Sequence, residues 1–182
     1  MPVFNHSVMG MTAEEGLSAF LKSPPAPHTL CVIEYGGNDC DLDWAYVAEH
    51  PDEATQAKVP LSAFRQALQS WVDAARERDM LPFLVTPPPL HAERYFHWVT
   101  KNLNEQAVLH ALHGDIHSIY RWQERYTLVM RDIATKTRCA LWDLRDLFLA
   151  QADYSAFMCV DGIHPNEAGY RLITENVPQN AI

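Results

Sequence analysis

The chain has 182 residues, of which 48% are hydrophobic and 20% charged, a composition typical of a globular domain and too apolar for intrinsic disorder. Its 14 basic and 23 acidic residues give a formal net charge of −9. No cluster of Lys or Arg offsets that charge, so nucleic acids and anionic membranes are disfavoured as partners. The apolar runs Leu30–Ile33 and Leu81–Val85 are too short to span a membrane.

The first predicted element is a short strand over residues 2–5. The segment Thr12-Ala-Glu-Glu15 has the form of a capping box and predicts a helix that continues to about Lys22. A proline-rich segment at 23–27 ends that helix, because proline lacks the N–H that would continue it. The apolar, partly β-branched run Thr29–Tyr35 is typical of a strand buried in a parallel sheet.

Alternating helices and strands follow. A polar loop is predicted from Gly36 to about Val59, and an amphipathic helix from Pro60 to about Asp79. A second buried strand covers Pro82–Thr86 and is stopped by three consecutive prolines. Residues 91–137 are predicted to form two or three helices, broken near 102–104 and 114–115.

The last predicted elements are a strand at Ala140–Leu144 and a helix from Pro165 to about Asn176. Strands separated by helices predict a mainly parallel sheet covered on both faces, a three-layer α/β/α architecture. We expect one domain over residues 1–182, with a helical insertion at about 91–137. In such sheets ligands bind beyond the carboxyl ends of the strands, so the functional residues are expected in the loops there.

One such loop, Gly36-Gly37-Asn38-Asp39, directly follows the strand ending near Tyr35. Two glycines allow a sharp turn, and the Asn38 amide could donate a hydrogen bond to a developing oxyanion. The alternative is an ordinary turn, since Gly, Asn and Asp dominate turns.

The second loop, Asp161-Gly-Ile-His164-Pro165, leads into the last helix. The spacing of Asp161 and His164 lets the carboxylate bind one imidazole nitrogen and leaves the other free as a general base. The alternative is an Asp- and His-containing turn that only caps the helix.

Together the two loops resemble conserved blocks of the SGNH, or GDSL-like, hydrolases. The segment 5–12 resembles that family's block in which a strand ends at an oxyanion-hole glycine. Residues 141–145 resemble its last strand, and 166–170 the start of its final helix. The resemblance covers nearly the whole chain and implies a flavodoxin-like fold.

By position, the resemblance implies that His164 is the general base, oriented by Asp161. The backbone N–H of Gly10 and the side chain of Asn38 would be the oxyanion donors. Gly37 would permit close backbone approach, and Asp39 would support the loop.

The implied reaction is hydrolysis of a small-molecule carboxylic ester of the esterase, lipase or deacetylase type, through an acyl-serine. The resemblance implies no metal and no organic cofactor. Two other classes are considered: a catalytically silent member that binds a ligand or partner protein, and a nucleotide-binding domain. Neither GxGxxG nor a P-loop occurs, which disfavours the latter.

The family's Gly-Asp-Ser block, which carries the nucleophile on the first strand, is absent from this sequence. Ser7 is a weak candidate for the nucleophile. Twenty-eight positions separate Gly10 from Asn38, enough for one helix and one strand, whereas a further strand–helix unit would need roughly 30 residues. We therefore favour Gly10 as the oxyanion glycine and expect Ser7 to be an ordinary residue at a strand end.

Three explanations of the missing block stay open: a chain cut at its N-terminus, a start assigned at an internal methionine, or a protein that has lost the serine. Lack of the first strand would expose an internal sheet edge, so marginal stability or self-association is expected.

The four cysteines show no metal-ligand spacing and are interpreted as core or incidental thiols. No secretory signal pattern opens the chain, and a cytoplasmic setting is predicted. Among the aromatic residues, Trp44 is predicted to line a pocket, and Trp71 and Trp122 to lie in the core. The segment Arg94–Trp98 is interpreted either as a lid or interaction surface, or as a solvated helix.

Overall fold

The computed structural model describes residues 3–24, 26–53 and 55–178. Within those ranges the strands are β1 (Leu30–Ile33), β2 (Leu81–Val85) and β3 (Ala140–Trp142). The α-helices are α1 (Ala13–Lys22), α2 (Gly37–Cys40), α3 (Trp44–Glu49), α4 (Leu61–Glu77), α5 (Ala92–Thr100), α6 (Glu105–Ala111), α7 (Ser118–Thr137), α8 (Leu144–Leu149) and α9 (Glu167–Glu175). A 3₁₀ turn covers Tyr154–Phe157.

The three strands form one parallel sheet in the order β1-β2-β3. Leu30 pairs with Leu81 and Ile33 with Leu84, while Val85 pairs with Trp142. Each connection between parallel neighbours contains helices, as parallel pairing requires. The strand order therefore brings the loops after β1, β2 and β3 to one edge of the sheet.

Helices cover both faces of the sheet and make it the middle of three layers. On one face, α1, α4 and α7 pack against β1 and β2 through a core that includes Phe64, Trp71 and Met130. On the other face, α8 and the 3₁₀ turn pack against Phe83 and Val85. A further cluster of α3, α5 and α6 packs beside the sheet's carboxyl edge. The predicted three-layer α/β/α fold is confirmed.

The local signals in the sequence account for the helix bounds. Thr12 caps α1 with the predicted capping box, in which Thr12 and Glu15 bond each other's backbone N–H groups. The apolar face of α4 places Phe64, Leu68 and Val72 in the core. The helices expected between 91 and 137 are α5, α6 and α7, with breaks at 101–104 and 112–117.

Two sequence predictions are wrong. Residues 3–5 form no strand. Val3 and Phe4 are exposed, and no strand of the described sheet lies beside them to bond their N–H and C=O groups. Pro2, also part of that predicted strand, lies outside the described residues. The segment 36–59 is not only loop, because it contains α2 and α3.

Within the described residues, no strand pairs with the outer edge of β1, where Val32 is 60% exposed. Three strands fit a shortened version of the expected sheet. The sheet thus presents unpaired backbone groups and an apolar side chain at this edge, a combination that favours association.

Each of the four cysteines lies in the described ranges and carries a free thiol; Cys31 and Cys139 are buried in the core. Among the described residues, no helix is both long and apolar enough to cross a membrane.

Candidate active site

A cleft of about 540 Å³ lies at the carboxyl edge of the sheet. Three parts of the chain that are distant in sequence contribute to it: the segment before α1, the loop after β1 and the loop before α9. The lining includes Ser7, Gly10, Glu34, Gly37, Asn38, Trp44, Tyr95, Trp122, Gln123, Ile163 and His164. His164 from one motif loop and Gly37 and Asn38 from the other therefore meet at one cavity, whereas Asp161 and Asp39 lie outside its lining.

His164 and Asp161 form a hydrogen-bonded pair. His164 Nδ1 lies 2.8 Å from Asp161 Oδ2, and the other carboxylate oxygen accepts from the backbone N–H groups of Ile163 and His164. Burial alone would raise the pKa of Asp161, but these hydrogen bonds outweigh it and hold that pKa below its ordinary value. The pair leaves His164 Nε2 available, and 66% of the His164 side chain is exposed.

The loop that carries this pair is pinned by packing and hydrogen bonds. Cys159 N–H donates to the carbonyl of His164 at 2.7 Å, and His91 N–H donates to the carbonyl of Gly162 at 2.7 Å. A Cβ at Gly162, whose φ is +76°, would lie 2.7 Å from the carbonyl oxygen of His91. Only glycine lets this turn approach the start of α5 so closely.

Asn38 lies in the first turn after β1 and is half-buried at the cleft. Its neighbour Asp39 is fully buried and accepts hydrogen bonds from the backbone N–H groups of Ala13 and Gly36, at 3.0 and 3.1 Å. Burial raises the pKa of Asp39, although these hydrogen bonds act in the opposite sense. Asp39 thus ties the Asn38 loop to the start of α1.

The two glycines of this loop differ. Gly36 is buried with a φ of +117°, and a Cβ there would lie 3.4 Å from the Phe64 ring. At Gly37 the φ is ordinary, and a Cβ would meet no protein atom within 4 Å. The turn itself therefore requires glycine at Gly36; a requirement at Gly37 for ligand approach stays a prediction.

Gly10 and Ser7 both line the cleft on an exposed segment without regular structure. Gly10 has a φ of +81° in a turn closed by a 3.3 Å hydrogen bond from Met11 N–H to the Val8 carbonyl. Ser7 is not on a strand, contrary to the sequence prediction. Within the described residues Ser7 Oγ makes no hydrogen bond to His164.

Three other ionisable groups of the cleft lie near Asn38. Burial raises the pKa of the Cys40 thiol to about 12, which keeps it neutral and a poor nucleophile. Asp41 accepts from Tyr95 Oη at 2.6 Å and pairs with Lys58 at 2.7 Å. Glu34 keeps access to water, yet the protein around it still desolvates the carboxylate and raises its pKa, an effect that Asp39 strengthens and His164 opposes.

The wall between the motif loops contains residues that sequence reasoning assigned elsewhere or not at all. Trp44 lines the cleft as predicted, and Trp71 is buried in the core. Trp122 packs against the core and also lines the cleft, so the core prediction for it is only partly right. Arg94 is half-buried and bonds carbonyls of the His164 loop, so it is not a solvated residue. Glu34, next to the Gly36–Asp39 loop, and Tyr95, in the segment interpreted as a lid or a solvated helix, were given no role in the chemistry.

Known structures with the same fold are acylhydrolases and esterases. A lipase/acylhydrolase from Enterococcus faecalis superposes with a TM-score of 0.60 at 19% identity, covering 91% of this chain and 68% of that one. Acetylxylan esterase from Geobacillus stearothermophilus superposes with a TM-score of 0.62 at 21% identity, covering 91% of this chain and 65% of that one. Catalytic mutants of that esterase replace a serine or a histidine with alanine. A GDSL-like lipase from Bacteroides thetaiotaomicron superposes with a TM-score of 0.54 at 18% identity, covering 94% of this chain and 71% of that one.

The chain therefore spans about two thirds of the length of these structures. No curated protein matches it significantly in sequence. The model of the GDSL-like Lipase/Acylhydrolase family matches residues 1–172. That match includes both motif loops and the cleft between them, and this chain belongs to the GDSL-like lipase/acylhydrolase family.

Proposed function

We propose that the protein is a carboxylic-ester hydrolase whose general base is His164, oriented by Asp161. The observation that carries this proposal is that His164, held by Asp161 at 2.8 Å, lines the same cleft as Asn38. An imidazole base and an amide donor at one cavity are two of the three groups that acyl transfer through an acyl-serine requires, and the third is the nucleophile.

In the proposed reaction, His164 Nε2 takes the proton of a serine hydroxyl while the serine oxygen attacks the ester carbonyl carbon. The carbonyl oxygen becomes an oxyanion that accepts from the Gly10 N–H and the Asn38 amide. Return of the proton to the alkoxide leaving group releases the alcohol and leaves an acyl-serine, which water hydrolyses by the same steps. A preorganised amide donor contributes about 3 kcal/mol of transition-state stabilisation.

The spacing between Gly10 and Asn38 favours Ser7 as an ordinary residue, but its position at the cleft makes it the candidate nucleophile of this chain, and we propose it as such. Among the serines in the described ranges, Ser7 alone lines the cleft. The catalytic serine and histidine mutants of the acetylxylan esterase support a serine–histidine mechanism in a protein of this fold. Asp39 and Gly37 would support and shape the oxyanion loop.

The test is hydrolysis of p-nitrophenyl acetate by the wild type and by the Ser7→Ala, His164→Ala and Asn38→Ala variants. Ser18→Ala, on the exposed face of α1, and His97→Ala, exposed on α5, are matched controls. We expect Ser7→Ala and His164→Ala to abolish turnover and Asn38→Ala to lower kcat by a factor of about 10². Both control variants should keep the wild-type turnover. Activity that survives Ser7→Ala but not His164→Ala would remove Ser7 from the mechanism.

The second candidate function is a catalytically silent family member that binds an acyl or glycan ligand, or a partner protein, through this cleft. The absence of a hydrogen bond between Ser7 Oγ and His164 in the described residues favours it. Trp44 and Trp122 line the cleft, so ligand binding should change tryptophan fluorescence. Binding of an ester without turnover would support this function and contradict the hydrolase.

We further propose that residues 1–182 act as one domain, that the substrate is a small ester and not a nucleic acid, and that the protein self-associates. A cytoplasmic setting stays a prediction from the cysteine and signal patterns.

A further inference from the structure

Helix α5 contacts both loops of the candidate site through two consecutive residues. Arg94 reaches the loop before α9, and Tyr95 reaches the segment that follows the Asn38 turn. Because an α-helix is rigid over two residues, these contacts fix a distance between loops that are far apart in sequence.

Arg94 contacts the backbone that leads into the His164 loop. Arg94 Nη1 donates to the carbonyl oxygens of Ser155, Met158 and Cys159 at 2.8, 3.2 and 3.5 Å. Met158 is bridged to Pro165, and Cys159 N–H donates to the carbonyl of His164. One guanidinium therefore holds the backbone that pairs with the His164 segment, and hydrogen bonds to a charged donor are the stronger kind.

The Tyr95 contact lies beside Asn38. Tyr95 is buried, and its hydroxyl donates to Asp41 Oδ1 at 2.6 Å. The same oxygen of Asp41 accepts from Trp44 Nε1 at 2.8 Å, while Lys58 binds the other oxygen. Asp41 directly follows α2, the short helix that presents Asn38.

We propose that Arg94 and Tyr95 are positioning residues that set the separation between the His164 base and the Asn38 donor. This inference rests on the proposed function for its catalytic meaning. Arg94 is not part of the cleft lining, so it acts through the loop and not on a substrate. Displacing a catalytic group by about 1 Å costs on the order of 10² in rate, so loss of either contact should lower kcat. For Arg94, which does not line the cleft, KM should change little.

The test compares Arg94→Met, Arg94→Lys and Tyr95→Phe with Arg125→Met, a matched charge removal at an exposed site on α7. Arg94→Met should lower kcat with p-nitrophenyl acetate about tenfold to a hundredfold at unchanged KM. Arg94→Lys should recover much of this, because Nη1 makes all three bonds and a lysine ammonium can replace one nitrogen. Tyr95→Phe should lower kcat, and its effect should be less than additive with Arg94→Met, since both changes alter one distance.

A second readout does not need turnover. Nitrogen-15 NMR of the imidazole reports which ring nitrogen of His164 carries the proton, and the Asp161 contact holds it on Nδ1. Arg94→Met should mix the two tautomers, and Arg94→Lys and Arg125→Met should not. If the wild type hydrolyses no ester, the proposed function fails while this measurement still decides the positioning role. An unchanged tautomer and an unchanged kcat in folded Arg94→Met would overturn the inference; should Arg94→Met not fold, an unchanged kcat in Tyr95→Phe would overturn it.

Discussion

Replacing Gly162 with alanine should destabilise the protein by about 3 kcal/mol, because the residue has a left-handed backbone and no room for a methyl group. Its φ is +76°, which costs an L-residue roughly 1–2 kcal/mol. The new Cβ would lie 2.7 Å from His91 O, 2.8 Å from Tyr95 N and 2.9 Å from Arg94 Cβ. Two of these are backbone atoms in the first turn of α5 and cannot rotate away, so overpacking adds about 1–3 kcal/mol.

The assay is urea unfolding at pH 7 together with a thermal melt, in which a loss of 3 kcal/mol lowers Tm by roughly 6–12 °C for a chain of this length. Gly114→Ala is the matched control, since Gly114 has a φ of +77° and a Cβ there would meet nothing within 4 Å. It should show only the backbone cost, roughly 1–2 kcal/mol. If the two variants were equally stable, the close contact between the His164 loop and α5 would carry no energy and the reasoning would be refuted.

Three further changes test the site and the sheet edge. Asp161→Asn should lower the free energy of unfolding at pH 7. Because the pKa of Asp161 in the folded protein lies below the ordinary 3.8, the difference in unfolding free energy from the wild type should persist above about pH 5 and vanish as the pH falls through the lowered pKa. A difference that does not depend on pH would contradict this. Glu34→Gln should raise kcat/KM for an anionic ester about threefold relative to a neutral one, since none of the described residues that line the cleft is a Lys or Arg. Glu77→Gln, exposed on α4, is the control, and an unchanged ratio would show that Glu34 does not repel substrates. Val32→Lys should convert a self-associated protein to monomer in sedimentation velocity, because lysine blocks edge pairing; a monomeric wild type would rule out association through β1.

The sequence predicted the elements whose signals are local. Thr12 and Glu15 lie within one turn of each other, so the start of α1 could be located from four residues. Helix α3 was missed although Asp43 caps it by accepting from the Tyr46 N–H. That cap is as local as the one at Thr12, but α3 is only six residues long and carries too little apolar periodicity to distinguish it from a loop.

The site could be predicted only in its parts. The motif loops identified Asp161, His164 and Asn38, because an acid and a base three residues apart and an amide after a strand are short-range patterns. Arg94 and Tyr95 were interpreted only as part of a lid or interaction surface, or of a solvated helix, since their partners lie more than 50 positions away in the chain. Only the packing of α5 against both loops brings them there, and no period or cap in the sequence encodes that contact.

The components of the proposed mechanism are not held equally well. The base loop is fixed by Arg94 and by the close contact at Gly162, and the amide loop by buried Asp39. In contrast, the hydrogen bonds of the Ser7 segment are local: Ser7 N–H donates to Asn5 Oδ1 at 2.9 Å. A nucleophile has to be held close to its base for reaction, so Ser7 is the component of the proposed mechanism that the fold positions least firmly.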